Sequence, residues 1–173
     1  MSPEPGTTGP RAVLVGPMGA GKTTVASLLA QAWDVEFRDT DDDVVAVDGR
    51  SISDIFVDAG EEHFRRLERA AVERALRDHR GVLALGGGAV LDPDTRERLA
   101  GHPVVFLRVG LSDAVKRVGL GSGRPMLLGN VRGQIKALLD ERAPVYESVA
   151  TLTVDTDGRT PEDVAEEILE ALA

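Results

Sequence analysis

Short apolar runs alternate along the chain with longer segments whose apolar residues recur at helical spacing. Arg11-Ala-Val-Leu-Val15 is such a run, closed by Gly16-Pro17 as a buried strand closes into a loop. Val25, Leu28, Leu29, Ala32 and Trp33 then recur on one face, predicting a helix from about Gly21 to Trp33 with Trp33 turned to the core. Val35-Glu-Phe37 reads as a second strand that stops at the acidic cluster Asp39-Thr-Asp-Asp-Asp43. Phe64, Leu67, Ala71, Ala75 and Leu76 stripe a long helix from Gly60 to His79, and Gly81-Val-Leu-Ala-Leu85 is a third strand ending at three glycines. Asp92-Pro93 has the cap-then-proline order of a helix start, Pro103-Val-Val-Phe-Leu107 is a fourth strand, and Ser112-Asp113 opens a short helix. The glycines of Gly119-Leu-Gly-Ser-Gly-Arg-Pro125 predict a flexible loop, followed by a polar helix over about Val131–Arg142. Leu152-Thr-Val154 is a fifth strand, and Thr160-Pro161-Glu-Asp163 caps a last helix with Val164, Ile168 and Leu172 inward. Five short strands alternating with helices predict an α/β fold, a parallel sheet covered on both faces.

The length of 173 residues fits one domain, over 11–173, behind a polar stretch over 1–10 that reads as a mobile tail. Aromatic residues make up only 3%, so the core must be aliphatic. The net charge of −9 excludes nucleic acid and anionic membrane as partners, while leaving room for a small anion beside gathered arginines. The absence of cysteine excludes disulfides, thiolate catalysis and thiolate metal sites and fits a reducing compartment. The first ten residues have neither the basic nor the apolar region of a signal peptide, and no apolar run approaches the roughly 20 residues of a membrane span. Cytoplasm is the expected location.

Gly16-Pro-Met-Gly19-Ala20-Gly21-Lys22-Thr23 fits G-x-x-x-x-G-K-[ST] and lies between a predicted strand and a predicted helix, where that motif works. Its backbone N–H groups and the helix N-terminus suit phosphate; Lys22 should reach the β- and γ-phosphates of ATP and the Thr23 hydroxyl should bind Mg²⁺. The plain alternative is a glycine-rich helix cap. Asp39 and Asp41 sit after the second strand, at the carboxyl edge where α/β sheets bind ligands, and offer one carboxylate for magnesium and one for a substrate hydroxyl. They could equally be acids favoured at a helix start. Arg65 and Glu68 are neighbours on one helix face, as in any surface salt bridge. Gly86-Gly87-Gly88 is a loose turn or a place where a ligand meets bare backbone, and Arg124 is either a solvated loop tip or an arginine carried onto phosphate by a lid. The histidines His63, His79 and His102 have no metal-type spacing and are expected at the surface or in loops.

Taken together, Gly16–Thr24, Asp39-Thr-Asp41, Gly49-Arg-Ser-Ile52, Asp54-Ile-Phe56, Gly60-Glu61, Phe64-Arg65-Arg66-Leu67-Glu68, Leu85–Val90, Gly123-Arg-Pro125, Arg142-Ala-Pro-Val-Tyr146 and Val154-Asp-Thr156 resemble the shikimate kinases from about Arg11 to the C-terminus. The resemblance implies strand order 2-3-1-4-5, a mobile lid over about 119–131, and ATP-dependent phosphorylation of the 3-hydroxyl of shikimate by a monomer. It implies ATP contacts at Gly19, Ala20, Gly21, Lys22, Thr23, Thr24 and Arg124, with Arg117 and Arg159 flanking adenine. Magnesium would be held by Thr23 and, through water, by Asp39. Asp41 would contact the shikimate hydroxyls and accept the proton, Arg65 and Arg142 would hold the carboxylate, and the Gly86–Gly88 backbone would meet the ring. A kinase for another polyol acid such as gluconate shares the loop and lid design, but the Asp39-Thr-Asp41, Phe64-Arg65 and Arg142-Ala-Pro combination speaks against it. A non-catalytic nucleotide-binding module would require a missing catalytic group, and none is missing.

Overall fold

The computed structural model describes residues 9–17, 19–120 and 131–173. Most of the expected tail and of the expected lid, Arg124 with it, lies outside the described residues, as does the side chain of Arg117. Five strands, β1 (Ala12–Val15), β2 (Phe37–Asp39), β3 (Val82–Ala84), β4 (Val104–Arg108) and β5 (Leu152–Asp155), pair in parallel in the order β2-β3-β1-β4-β5. Among the described residues eight α-helices cover them: α1 (Lys22–Trp33), α2 (Thr40–Asp48), α3 (Ile52–Ala59), α4 (Glu61–Asp78), α5 (Pro93–Leu99), α6 (Leu111–Leu120), α7 (Val131–Val149) and α8 (Pro161–Ala171).

Successive strand residues point to opposite faces, so the central strand divides between two cores. Val13 and Val15 pack with Val72 of α4, Leu99 of α5 and Tyr146 of α7, while Leu14 packs with Leu29 of α1 and Ile168 of α8. A third cluster, Val44, Ile55, Phe64 and Ala71, joins α2 and α3 to α4. The expected caps form: Asp92 Oδ1 accepts from the Asp94 and Thr95 amides, and Thr160 Oγ1 from the Asp163 amide.

Several expectations change. The second strand runs over Phe37–Asp39, two residues later than the apolar pattern indicates. Asp34 turns into the left-handed region (φ 55), and the Val35 amide closes α1 by donating to the Ala30 carbonyl, so Val35 is spent on the helix end. Asp39 is therefore the last strand residue rather than one beyond the strand, paired with Ala84. Two short helices fill 40–59, where no clear period shows because Val45, Val47 and Val57 are exposed. α7 runs to Val149, past Pro144, since the buried Tyr146 anchors its last turns. His79 is buried, contrary to expectation: its Nε2 lies 3.0 Å from the Val82 carbonyl and ties the end of α4 to β3. Trp33 is only partly buried against the α1–α8 core, with the Arg11 guanidinium 4.4 Å from its ring centroid.

Candidate active site

β1 delivers the chain into the loop 16–21, and α1 begins at Lys22. Gly21 stands at the helix start with φ 89, a conformation that other residues adopt only with strain. Side chains cap α2, α3, α5 and α8, whereas α1 and α4 start at glycines with no side-chain cap, and at α1 the first amides and positive dipole end open on the phosphate loop, where they suit an anion. Lys22 folds back into the loop, donating to the Gly16 carbonyl at 2.7 Å and the Pro17 carbonyl at 3.0 Å. Burial lowers its ammonium to about 8, against the upward pull of Asp41 and Asp39. A cavity of about 320 Å³ opens over this loop, bounded by Lys22, Thr23, Thr24, Asp39, Asp41 and Gly86.

Both readings of Asp39 hold at once. Its Oδ1 accepts from the Asp41 amide at 2.8 Å and so caps α2, while the residue also lines the cavity. Burial, and then the charges of Asp41 and Asp42, push Asp39 up to about 6 despite that hydrogen bond and the nearby Lys22. Asp41 is raised by burial too, partly offset by Lys22 and Arg65. A hydroxyl from Thr23 and a carboxylate from Asp39 are hard oxygen donors. Among the described residues no cluster of three or more acidic, histidine or cysteine side chains could hold a metal alone. That donor set suits Mg²⁺, which keeps its waters and shares one or two carboxylates with phosphate oxygens.

A second cavity, about 380 Å³, lies between α3, α4 and α7 and shares Asp41, Gly86 and Gly87 with the first. Arg65 and Arg142, far apart in sequence, both line it, with Phe56, Phe64 and Leu139 as apolar walls. Arg65 donates to Glu68 Oε1 at 2.8 Å and stands 3.5 Å from Glu61. This is no surface salt bridge, since the Glu68 side chain is only 4% exposed. Burial raises the Glu68 carboxyl, and the Arg65 pairing opposes that rise. The bare backbone lets these side chains close in: a Cβ on Gly88 would stand 2.6 Å from both Arg65 Nη atoms, and one on Gly86 would stand 2.6 Å from Asp41 Oδ1, so either side chain would have to shift. Arg142 is half-buried beside the Tyr146 hydroxyl and is paired with no carboxylate among the described residues. On the other side of the loop a third cavity is lined by Gly19, Ala20, Gly21, Thr24 and Arg159, and there Arg159 is held by the Asp155 carbonyl and by Glu167, each at 2.9 Å.

Lys22, Thr23, Asp39, Asp41, Arg65, Gly86–Gly88 and Arg142 are thus brought to two joined cavities. Two contributors were not assigned from sequence. Glu68 reads from sequence as half of a solvated pair, and Tyr146, one turn beyond Arg142, enters only as the last residue of the Arg142-Ala-Pro-Val-Tyr146 motif, with no role of its own.

The family model described as shikimate kinase matches residues 18–173. The shikimate kinase of Salinispora arenicola is 60% identical over 164 residues, covering 95% of this chain and 98% of that one. That of Streptomyces coelicolor is 55% identical over 163 residues, covering 94% and 95%. Among solved structures, shikimate kinase from Acinetobacter baumannii in complex with shikimate matches with a TM-score of 0.86 at 35% identity, over 96% of this chain and 94% of that one. A gluconokinase from Sinorhizobium meliloti matches with a TM-score of 0.56 at 20% identity, over 93% and 90%, which is a likeness of fold alone. With a matching family model over nearly its whole length and relatives this similar end to end, the chain belongs to the shikimate kinase family.

Proposed function

We propose that this chain transfers the γ-phosphoryl group of ATP to the 3-hydroxyl of shikimate, giving shikimate 3-phosphate and ADP. The observation that carries the reading is the meeting of two cavities at Asp41, Gly86 and Gly87, one built on the phosphate loop and the other on Arg65 and Arg142. A nucleotide in the first puts its terminal phosphate beside the wall that it shares with the second, and phosphoryl transfer depends mostly on such positioning and on charge stabilisation. Lys22 exchanges its loop carbonyls for phosphate oxygens, and the uncapped start of α1 adds amide donors. Magnesium, held by Thr23 and through water by Asp39, would neutralise charge on the β- and γ-phosphates. Asp41 orients the acceptor hydroxyl; as the oxygen–phosphorus bond forms and the bond to the β-phosphate oxygen breaks, the hydroxyl proton passes to Asp41, whose raised carboxyl suits it to that task. Arg65 and Arg142 grip the substrate carboxylate through planar, charge-assisted pairs. Arg159 lies where a base would leave the loop, and Arg117 and Arg124 complete the nucleotide site in this reading. One chain lines both cavities, so a monomer suffices.

The test is a coupled ADP-release assay with shikimate, gluconate and other hydroxy acids. Shikimate should be turned over fastest. Arg142→Ala should raise its KM roughly ten-fold to a hundred-fold while leaving that of ATP nearly unchanged, since a charge-assisted hydrogen bond contributes about 1.5–3 kcal/mol. Faster turnover of gluconate, or no response of the shikimate KM to Arg142→Ala, would refute the assignment.

A further inference from the structure

The segment joining the two cavities is tied at its start by the Gly86 amide, which donates to the buried Thr40 hydroxyl at 3.3 Å. After β3 the chain passes through Gly86–Gly88 with no side chain to pack, and its backbone contacts are few: the Gly86 carbonyl accepts from the Ala89 amide and the Gly88 carbonyl from the Leu91 amide. The Gly87 carbonyl accepts from no backbone amide among the described residues. It accepts instead from the Tyr146 hydroxyl, 2.5 Å away.

Tyr146 is built to hold that bond. The residue is 1% exposed, and its ring stacks on Phe106 of β4 with centroids 5.0 Å apart. Burial raises its phenol above the ordinary value, so the hydroxyl stays a donor at any working pH. Arg142 lies one turn back along α7, beside the same hydroxyl. In a trans peptide the carbonyl and the following N–H point in opposite directions, and the chain has no cis bonds among its described residues. Fixing the Gly87 oxygen toward Tyr146 therefore turns the Gly88 N–H the other way, and Gly88 lines the acceptor cavity.

We infer that Tyr146 is a positioning residue for the acceptor: its hydroxyl sets the Gly87–Gly88 peptide and the Arg142 guanidinium in register, so that both meet the substrate in the same frame. This rests on the proposed reading of the second cavity as the shikimate site. Were Tyr146 only part of the core, its ring would suffice and its oxygen would be dispensable.

Tyr146→Phe keeps the ring and removes that oxygen. ADP release should show the shikimate KM raised several-fold to about ten-fold, the range set by one lost hydrogen bond, with the ATP KM within two-fold and kcat changed less than the shikimate KM. In the double variant with Arg142→Ala, the two effects should combine to less than their product, because both act on one contact. An unchanged shikimate KM, an equal rise in both KM values, or multiplicative effects in the double variant would each overturn the inference. Wild-type turnover of shikimate separates the two levels: its absence sinks the proposed function, whereas its presence with an indifferent Tyr146→Phe sinks only the role of Tyr146.

Discussion

Asp39 caps α2 with one carboxylate oxygen while its charge is crowded by Asp41 and Asp42 in a half-buried setting. Its folded-state value is about 6 against an ordinary 3.8, so between these values the folded chain holds a proton that the unfolded chain has released. Stability linked to this group therefore falls as pH rises from about 4 to about 6. Asn caps as well as Asp and carries no charge. Asp39→Asn should then melt at an equal or higher temperature than wild type at pH 7, with a flatter dependence over pH 4–6, while the magnesium needed for half-maximal ADP release rises about ten-fold or more. Wild-type activity should fall below about pH 6 as Asp39 takes up its proton, and above about pH 8 as Lys22 loses its own. Thermal melts across this range and a magnesium titration check both sides; a lower melting temperature for Asp39→Asn at neutral pH would show that the charge is no burden on the fold.

Strands β2 and β3 meet at Gly81, whose missing side chain lets the backbone of Glu36 come close. A Cβ there would stand 2.0 Å from the Glu36 carbonyl oxygen, which also accepts from the Val82 amide at 2.9 Å. Backbone cannot swing aside as a side-chain tip can. Gly81→Ala should push β2 outward, costing about 1–3 kcal/mol in urea unfolding as overpacking does and lowering kcat/KM because β2 ends at Asp39. Thr160→Ala is the control at the same scale: it should lose about 1 kcal/mol with the cap of α8 and leave kcat/KM alone, since Thr160 lines neither of the two joined cavities. Equal activity loss in both variants would trace the effect to general stability rather than to β2.

Across the whole molecule, the net charge of −9 coexists with Lys22, Arg65 and Arg142 gathered at one edge of the sheet. Positive charge is local, and parallel strands aim their carboxyl ends at that edge, where α/β sheets take ligands. A ligand that binds only the folded chain stabilises it by mass action, about 2.7 kcal/mol at a hundred times its Kd. For a chain of this size that is on the order of 5–10 °C in Tm. A non-hydrolysable ATP analogue with magnesium should produce this rise in wild type, and at the same concentration Lys22→Met should lose most of it while melting near the wild-type temperature without ligand. A full rise in Lys22→Met would remove the lysine from the phosphate site.

The sequence by itself determined the alternation of strands and helices, the phosphate loop with its Lys22 and Thr23, the capped starts of α5 and α8, and through family resemblance the strand order and most of the residues that line the two cavities. These are legible because period, caps and glycine spacing report local geometry. The register of β2, the burial of His79 and Glu68, and the bond from Tyr146 to Gly87 were decided only by the tertiary structure. Each depends on which distant segment lies alongside. Val35 goes to the helix end because the α1 closure takes its amide, and Glu68 is buried against Gly86, where a Cβ would stand 3.1 Å from its Oε2. Residue spacing along a helix or strand carries no information about such partners, because the packing of one element on another sets them.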